Sequence, residues 1–208
     1  MKMEIEEVLN GETRIYLLPF AEFDPHLYLD RLSAIEIERF FQFKHVKRKQ
    51  EFVATRLLKH SIFGFSHIHY NAVGAPFMED AGFISISHGS NLVGISVNQR
   101  YATGLDLELI RDKAQRIHAK FLNPNEQNQF DVASQWEMTA CWSAKETLYK
   151  LAGRKEIDFK KELLLSKNKS AAWKGEIVNP TARLSTELTI FEKYNHVVTF
   201  NSSPIVSI

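Results

Sequence analysis

Apolar and polar residues alternate over 83–87 (FISIS), 92–97 (LVGISV) and 103–109 (TGLDLEL), which predicts three strands. The links between them, His88-Gly89-Ser90-Asn91 and residues 98–102, are short and polar, so an antiparallel meander is expected. A further strand is predicted over 13–20. Val53, Leu57, Leu58 and Ile62 recur at helical spacing and should face a core. Ser33-Ala34-Ile35-Glu36 has the form of a capping box, and helix should follow in two pieces up to Phe63, with Gly64 as the stop.

A second helical region begins at Asn123-Pro124-Asn125-Glu126, and the strongest helical pattern spans 135–152, ended by Gly153. Strands are then expected over 162–166, 171–178, 187–192 and 196–201, the last two forming a hairpin around Lys193-Tyr194-Asn195. Helices precede strands twice along the chain. That order predicts an α+β fold of two similar halves with antiparallel sheets, 1–99 and 100–208, with the seam near 98–102. No repeat is visible at the level of individual residues.

The 208 residues, 44% of them hydrophobic, suit one globular unit or two small fused halves. A net charge of +1 argues against a general nucleic-acid binder. Cys141 is the only cysteine, so an intrachain disulfide is excluded and a reducing compartment is expected. Beside Trp142 on a helix, it should be buried and inert. The first residues, MKMEIEE, lack the apolar core of a signal peptide, and no apolar run is long enough to span a bilayer. The expectation is a cytoplasmic, soluble monomer without nucleic-acid or membrane partners.

Two segments carry chemistry. In Gly104-Leu105-Asp106-Leu107-Glu108 the two carboxylates share one strand face, and the leucines share the other. Magnesium prefers carboxylate, water and phosphate oxygens, which such a pair can supply. An ordinary half-buried strand with a solvated acidic face has the same spacing. On the second segment, Trp142-Ser143-Ala144-Lys145-Glu146-Thr147-Leu148-Tyr149-Lys150, residues 142, 146, 149 and 150 lie on one helical stripe with Lys145 beside it. A surface ion pair between Glu146 and Lys150, with Trp142 as a core anchor, would explain that stripe equally well. Three carboxylates and two ammonium groups together could hold magnesium and a pyrophosphate. The run Lys44-His45-Val46-Lys47-Arg48-Lys49 continues into a helix on which Arg48, Phe52, Arg56 and Lys59 share a face. It is either an anion site or a solvated basic face.

Taken together, the two segments resemble the signature motifs of the 4'-phosphopantetheinyl transferases, in the subclass that activates peptide synthetases and carrier proteins (the surfactin-synthetase-activating type). That family reads Gly-(Ile/Val)-Asp-x-Glu and, some forty residues later, (Phe/Trp)-(Ser/Cys)-x-Lys-Glu-(Ser/Ala)-x-x-Lys. The linking Lys120-Phe121-Leu122-Asn123-Pro124-Asn125-Glu126 and the pair Ser87-His88 are similar too, and the resemblance runs from about Arg39 to Gly153. It departs at Ala75, where the family often has the lysine of Gly-Lys-Pro, and at Ser85, where the family has Asn.

The resemblance implies a pseudo-two-fold pair of α+β halves with the site between them. It implies transfer of the phosphopantetheine arm of coenzyme A to a serine of an acyl or peptidyl carrier protein, releasing 3',5'-ADP. Asp106, Glu108 and Glu146 would hold Mg²⁺. Lys150 would neutralise the leaving diphosphate, and Glu146, or a water held by the metal, would take the serine proton. Arg48, Arg56, Ser87 and His88 would contact the ADP part of CoA, and Lys145 would either contact phosphate or be structural.

Two other functions use the same residues: a magnesium-dependent phosphohydrolase, and a non-catalytic CoA- or carrier-binding module. Ser87-His88 is no hydrolase dyad by its pattern, because no Gly-x-Ser-x-Gly elbow surrounds it. No Walker-type loop is present either. His67 and His69 lack a third soft ligand nearby in sequence and read as surface residues.

Overall fold

The computed structural model describes residues 4–64, 66–79, 81–168 and 170–208. Its first half contains β1 (Glu6–Asn10), β2 (Thr13–Pro19), a 3₁₀ turn (Pro25–Arg31), α1 (Ala34–Gln42) and α2 (Val46–Phe63). It continues with the short β3 (His69–Tyr70) and β4 (Pro76–Phe77), then β5 (Phe83–Gly89) and β6 (Leu92–Asn98). The second half contains β7 (Leu105–Leu109), α3 (Asp112–Phe121), α4 (Pro124–Gln129) and α5 (Gln135–Ala152). Five more strands close it: β8 (Leu163–Lys167), β9 (Trp173–Asn179), β10 (Ala182–Lys193), β11 (His196–Asn201) and β12 (Val206–Ser207). The fold is α+β. One sheet has the order β1-β2-β6-β5 and the other β7-β11-β10-β9-β8, with β12 on β10 and every pairing antiparallel.

One expectation is corrected here. Residues 83–109 do not form a three-stranded meander. β5 and β6 make a hairpin, but β7 leaves it and pairs with β11 in the other sheet. The reason is burial on both faces. Leu105 and Leu107 close a core with Ile15, Leu17 and Leu92 of the first sheet and Val198 and Phe200 of the second. A strand in that position joins the two halves instead of extending either hairpin. Six elements were missed: β1, the 3₁₀ turn, the two-residue strands β3, β4 and β12, and α3.

Each half sets an 18-residue helix against its sheet. Leu58 of α2 packs with Val93, Ile95 and Val97, and Leu148 of α5 packs with Leu163, Ile177 and Val197. Both helices end at a glycine with positive φ, Gly64 (62°) and Gly153 (62°), as the sequence predicted. The capping box of Ser33 with Glu36 is present, and the helix start at Asn123 has a second one, Asn123 with Glu126.

Each capping glutamate has a second role. Glu36 pairs with Lys59 of α2 at 3.3 Å, and Glu126 pairs with Lys145 of α5 at 2.8 Å. Glu126 also accepts from the Leu165 amide (2.8 Å), so one carboxylate joins α4, α5 and β8. This echo between halves could not be seen as a sequence repeat, since its two members share only the capping pattern and a lysine.

Breaking such a pair is costly because the partner charge stays buried. Lys145→Met should therefore lower unfolding free energy by about 3–5 kcal/mol. Glu126→Gln combined with Lys145→Met should lose distinctly less than Lys145→Met alone. Urea unfolding of the three proteins measures this, and equal losses in the single and double variants would refute the pairing.

Candidate active site

Close backbone approach builds the site. A Cβ on Gly104 would lie 2.8 Å from the Thr147 carbonyl and 2.9 Å from Leu151 Cγ. Glycine at this position thus lets the start of β7 touch α5, and Asp106 comes down beside Lys150. The Gly104 amide is held by Asn201 Oδ1 at 2.8 Å.

β7 has a strand partner on one side only. On its other side two first-half hydroxyls serve its amides: Leu105 N donates to Ser85 Oγ (3.0 Å) and Leu107 N to Ser87 Oγ (3.1 Å). Unpaired amides in a buried place would be costly, so these serines substitute for a missing strand. Ser87 also donates to Asp106 Oδ1 at 3.2 Å. Lys150 Nζ reaches three oxygens: Leu105 O at 2.5 Å, Asp106 Oδ1 at 2.9 Å and Ser87 Oγ at 3.2 Å. Lys150 therefore pairs with Asp106, which argues against the ordinary surface pair with Glu146.

Asp106 Oδ2 is buried and has no hydrogen-bond partner among the described residues. Around it the carboxylates repel one another. Burial, then the charge of Asp106, raises the pKa of Glu146 to about 7 despite the nearby Lys150. Burial and Asp106 also push Glu108 above its usual range, against the donated bond from the Trp142 indole (3.0 Å). An orphaned buried carboxylate oxygen beside two carboxyls of raised pKa suits a cation. Among the described residues no three His, Cys, Asp or Glu side chains are drawn together at metal-ligand spacing. The donor set thus fits a hard cation chemically, with ligand positions that a bound ion would have to tighten.

Lys150 lines a cleft of ≈ 460 Å³ between the halves, together with Ala75, Phe77, Thr103 and Tyr149. A second cleft of ≈ 240 Å³, lined by Arg39, Arg48, Arg56, Tyr70 and His88, shares Gly74, Pro76 and Ile86 with the first. Arg48 Nη1 lies 2.9 Å from Glu51 and 2.5 Å from His88 Nε2. Burial, then Arg48, lowers the pKa of His88, so its ring is neutral and can accept from the guanidinium.

Of the two roles open to Lys145 the structure has the structural one, and the expected ligand contacts Ser87 and Arg56 are placed differently. Lys145 is fully buried, and its ammonium donates to Phe121 O (2.7 Å), Phe159 O (2.8 Å) and Glu126 (2.8 Å). All three donors are engaged within the fold, so it is a structural cation. Ser87 is buried and its hydroxyl is fully used on β7, Asp106 and Lys150. It orients the site and does not project into the cleft. Arg56 and Lys59 are not on a solvated basic face; both are buried around Glu36, with Arg56 Nε 2.9 Å from Glu36 Oε1 but poorly aligned for a hydrogen bond. Arg56 also donates to Tyr70 at 3.1 Å.

Residues that pattern reasoning missed include Arg39, whose guanidinium sits 4.1 Å over the Tyr70 ring in the basic cleft. Trp142 was read only as an anchor. It does stack on Phe159 (5.4 Å), yet its N–H also holds Glu108. Their signals, an arginine one helix before the basic run and a tryptophan on the Glu146 stripe, were present but not specific. Cys141 is buried, and burial pushes its thiol pKa well up, as expected of an inert residue.

The raised pKa of Glu146 has a consequence for stability. Folded, it keeps its proton up to about pH 7; unfolded, it releases it near 4.5. Between these values the folded state binds more protons, so this group's effect is to lower stability as pH rises from 4.5 to 7. One pKa unit is about 1.4 kcal/mol, which bounds the loss at roughly 3.5 kcal/mol. Without divalent ions, the unfolding free energy of wild type minus that of Glu146→Gln should fall over this window and level off above it. A difference independent of pH would contradict the buried-carboxylate reading.

No curated protein matches the chain. Residues 102–198, which carry Asp106, Glu108, Trp142, Glu146 and Lys150, match the family model of the 4'-phosphopantetheinyl transferase superfamily.

Proposed function

We propose that this chain transfers the 4'-phosphopantetheine group of coenzyme A to a serine of an acyl or peptidyl carrier protein, in a magnesium-dependent reaction. The observation that supports the reading is the buried Asp106 Oδ2, without a hydrogen-bond partner among the described residues, beside Glu108, Glu146 and Lys150, of which Lys150 lines the cleft between the halves. The matched family is one of phosphopantetheine transfer, and these residues lie inside the matched segment. The reading includes a cytoplasmic monomer and a division of labour, with residues 1–99 holding the nucleotide end and 100–208 the reacting end.

Asp106, Glu108 and Glu146 would hold Mg²⁺, which when bound neutralises the diphosphate and makes its phosphorus a better electrophile. The carrier serine oxygen bonds to the pantetheine-side phosphorus. The bond from that phosphorus to the bridging oxygen breaks, and 3',5'-ADP leaves with the electron pair. Glu146 receives the serine proton. Lys150 faces the diphosphate with its ammonium. Of its three internal bonds, the longest, to Ser87, is the one a phosphate oxygen would replace most easily. Arg48, with Arg39 and His88 in the adjoining basic cleft, faces the 3'-phosphate. Arg56 lines that cleft from within its ion pair with Glu36 and shapes it more than it charges it.

Incubation with CoA, Mg²⁺ and a panel of apo carrier proteins should add one phosphopantetheinyl group to a carrier serine, read by intact-protein mass spectrometry. Release of phosphate from CoA without any carrier would favour a hydrolase. Tight CoA binding with no modification of any carrier would favour a binding module.

A further inference from the structure

The turn that carries His88 is supported from the other half of the molecule by a buried histidine. β5 and β6 meet through Gly89, Ser90, Asn91 and Leu92, with Asn91 at φ 60°. From the α2 side, Lys47 Nζ holds Ser90 Oγ at 2.9 Å and Arg48 contacts His88. From the second half comes His196, the first residue of β11, only 3% exposed. A Cβ on Gly89 would sit 2.5 Å from His196 Cδ2, 2.7 Å from its Nε2 and 3.3 Å from Leu107 O. The imidazole occupies the space where a side chain of residue 89 would go.

The ring is fixed in its own strand. Nδ1 lies 2.6 Å from Tyr194 O, so Nδ1 carries the proton and donates to that carbonyl. Nε2 is buried without a well-aligned partner, although the Ser90 backbone is close enough to favour its protonation. Burial outweighs this and holds the group below the usual histidine range, so the ring is neutral. The hairpin that bears it is tied to β1 as well, through Lys193 and Tyr194, which contact Glu6 at 2.8 and 2.9 Å.

Nothing in the chemistry of the carboxylate site requires a histidine here. A buried nitrogen without a good partner is costly, and an apolar residue would avoid that cost. The geometry points to His196 as a positioning residue: its ring is the spacer that sets how closely the β5–β6 turn lies on β7, and hence where His88 stands in the nucleotide cleft. This rests on the reading of that cleft as the CoA site.

The test is a double-mutant cycle on carrier loading with Gly89→Ala, His196→Ala, both together, and His196→Gln. Gly89→Ala drives a methyl into the ring and should raise the KM for CoA about tenfold, with a smaller effect on kcat. His196→Ala should raise it several-fold. The double variant, with the ring removed to make room, should recover most of the loss caused by Gly89→Ala. His196→Gln keeps a donor for Tyr194 and similar width, so it should stay close to wild type. The KM for the carrier should be unchanged throughout. Independent, multiplying losses in the double variant would overturn the spacer role. So would a lowered melting temperature with an unchanged KM for CoA. If the wild type loads no carrier, the functional reading fails; titration of 3',5'-ADP by calorimetry into the same proteins then reads the spacer separately. There the same pattern of recovery supports it, and its absence, or no binding by the wild type, overturns it.

Discussion

The free edge of β7 is the constraint on which the site depends. That strand has one ladder partner, β11, and its remaining amides are buried where two sheets meet. Ser85 and Ser87 of the opposite half satisfy them, and Lys150 satisfies the Leu105 carbonyl. Because Ser87 also donates to Asp106, one hydroxyl sets the position of the strand and of the carboxylate together. The halves cannot shift relative to each other at this seam without leaving a buried amide or a buried carboxylate oxygen unpaired, each costing about 1–3 kcal/mol. The carboxylate and lysine cluster is thus assembled by the same bonds that join the halves.

Within each half a second device repeats. A capping glutamate at the start of a short helix reaches a buried lysine on the long helix: Glu36 to Lys59, and Glu126 to Lys145. These pairs fix the long helices, and α5 carries Trp142, Glu146 and Lys150. Charge is partitioned sharply as a result. Lys145 and Lys150 are little more than a turn apart, yet one is wholly engaged in the interior and the other stands at the cleft. The unequal treatment of neighbouring like residues is also seen at Arg48 and Arg56, where the first is half-exposed beside His88 and the second lies inside the Glu36 network.

Much of this was legible in the sequence. The period of α2 and α5, their glycine stops, the capping box at Ser33, the helix start at Asn123 and the hairpin at Tyr194-Asn195 follow from local patterns, and the structure has them. The shared face of Asp106 and Glu108 likewise follows from strand geometry. What local pattern could not give was partner choice. Residues 103–109 look equally like a third meander strand or a strand of another sheet; the decision lies in Leu105 and Leu107 meeting Ile15 and Leu17, almost a hundred positions away. Similarly, spacing shows that Lys145 flanks the stripe of Glu146, but not that Phe121, Glu126 and Phe159 supply acceptors for all its protons. α3 went unread although Ala114, Ile117 and Phe121 recur at helical spacing and pack into the second-half core, because the rest of DKAQRIHAKF is mostly polar.

The account stands on Asp106 as the point where the seam between the halves becomes chemistry. The most direct measurement is the rate of carrier loading by Asp106→Asn at saturating CoA and Mg²⁺, with thermal melting in parallel. Asparagine keeps the shape and an acceptor for Ser87 but removes the charge. The account predicts a folded protein whose loading rate falls by about a thousandfold or more, equivalent to several kcal/mol of lost transition-state stabilisation. A folded Asp106→Asn variant that loads the carrier within about threefold of wild type, well under 1 kcal/mol on the same scale, would contradict it.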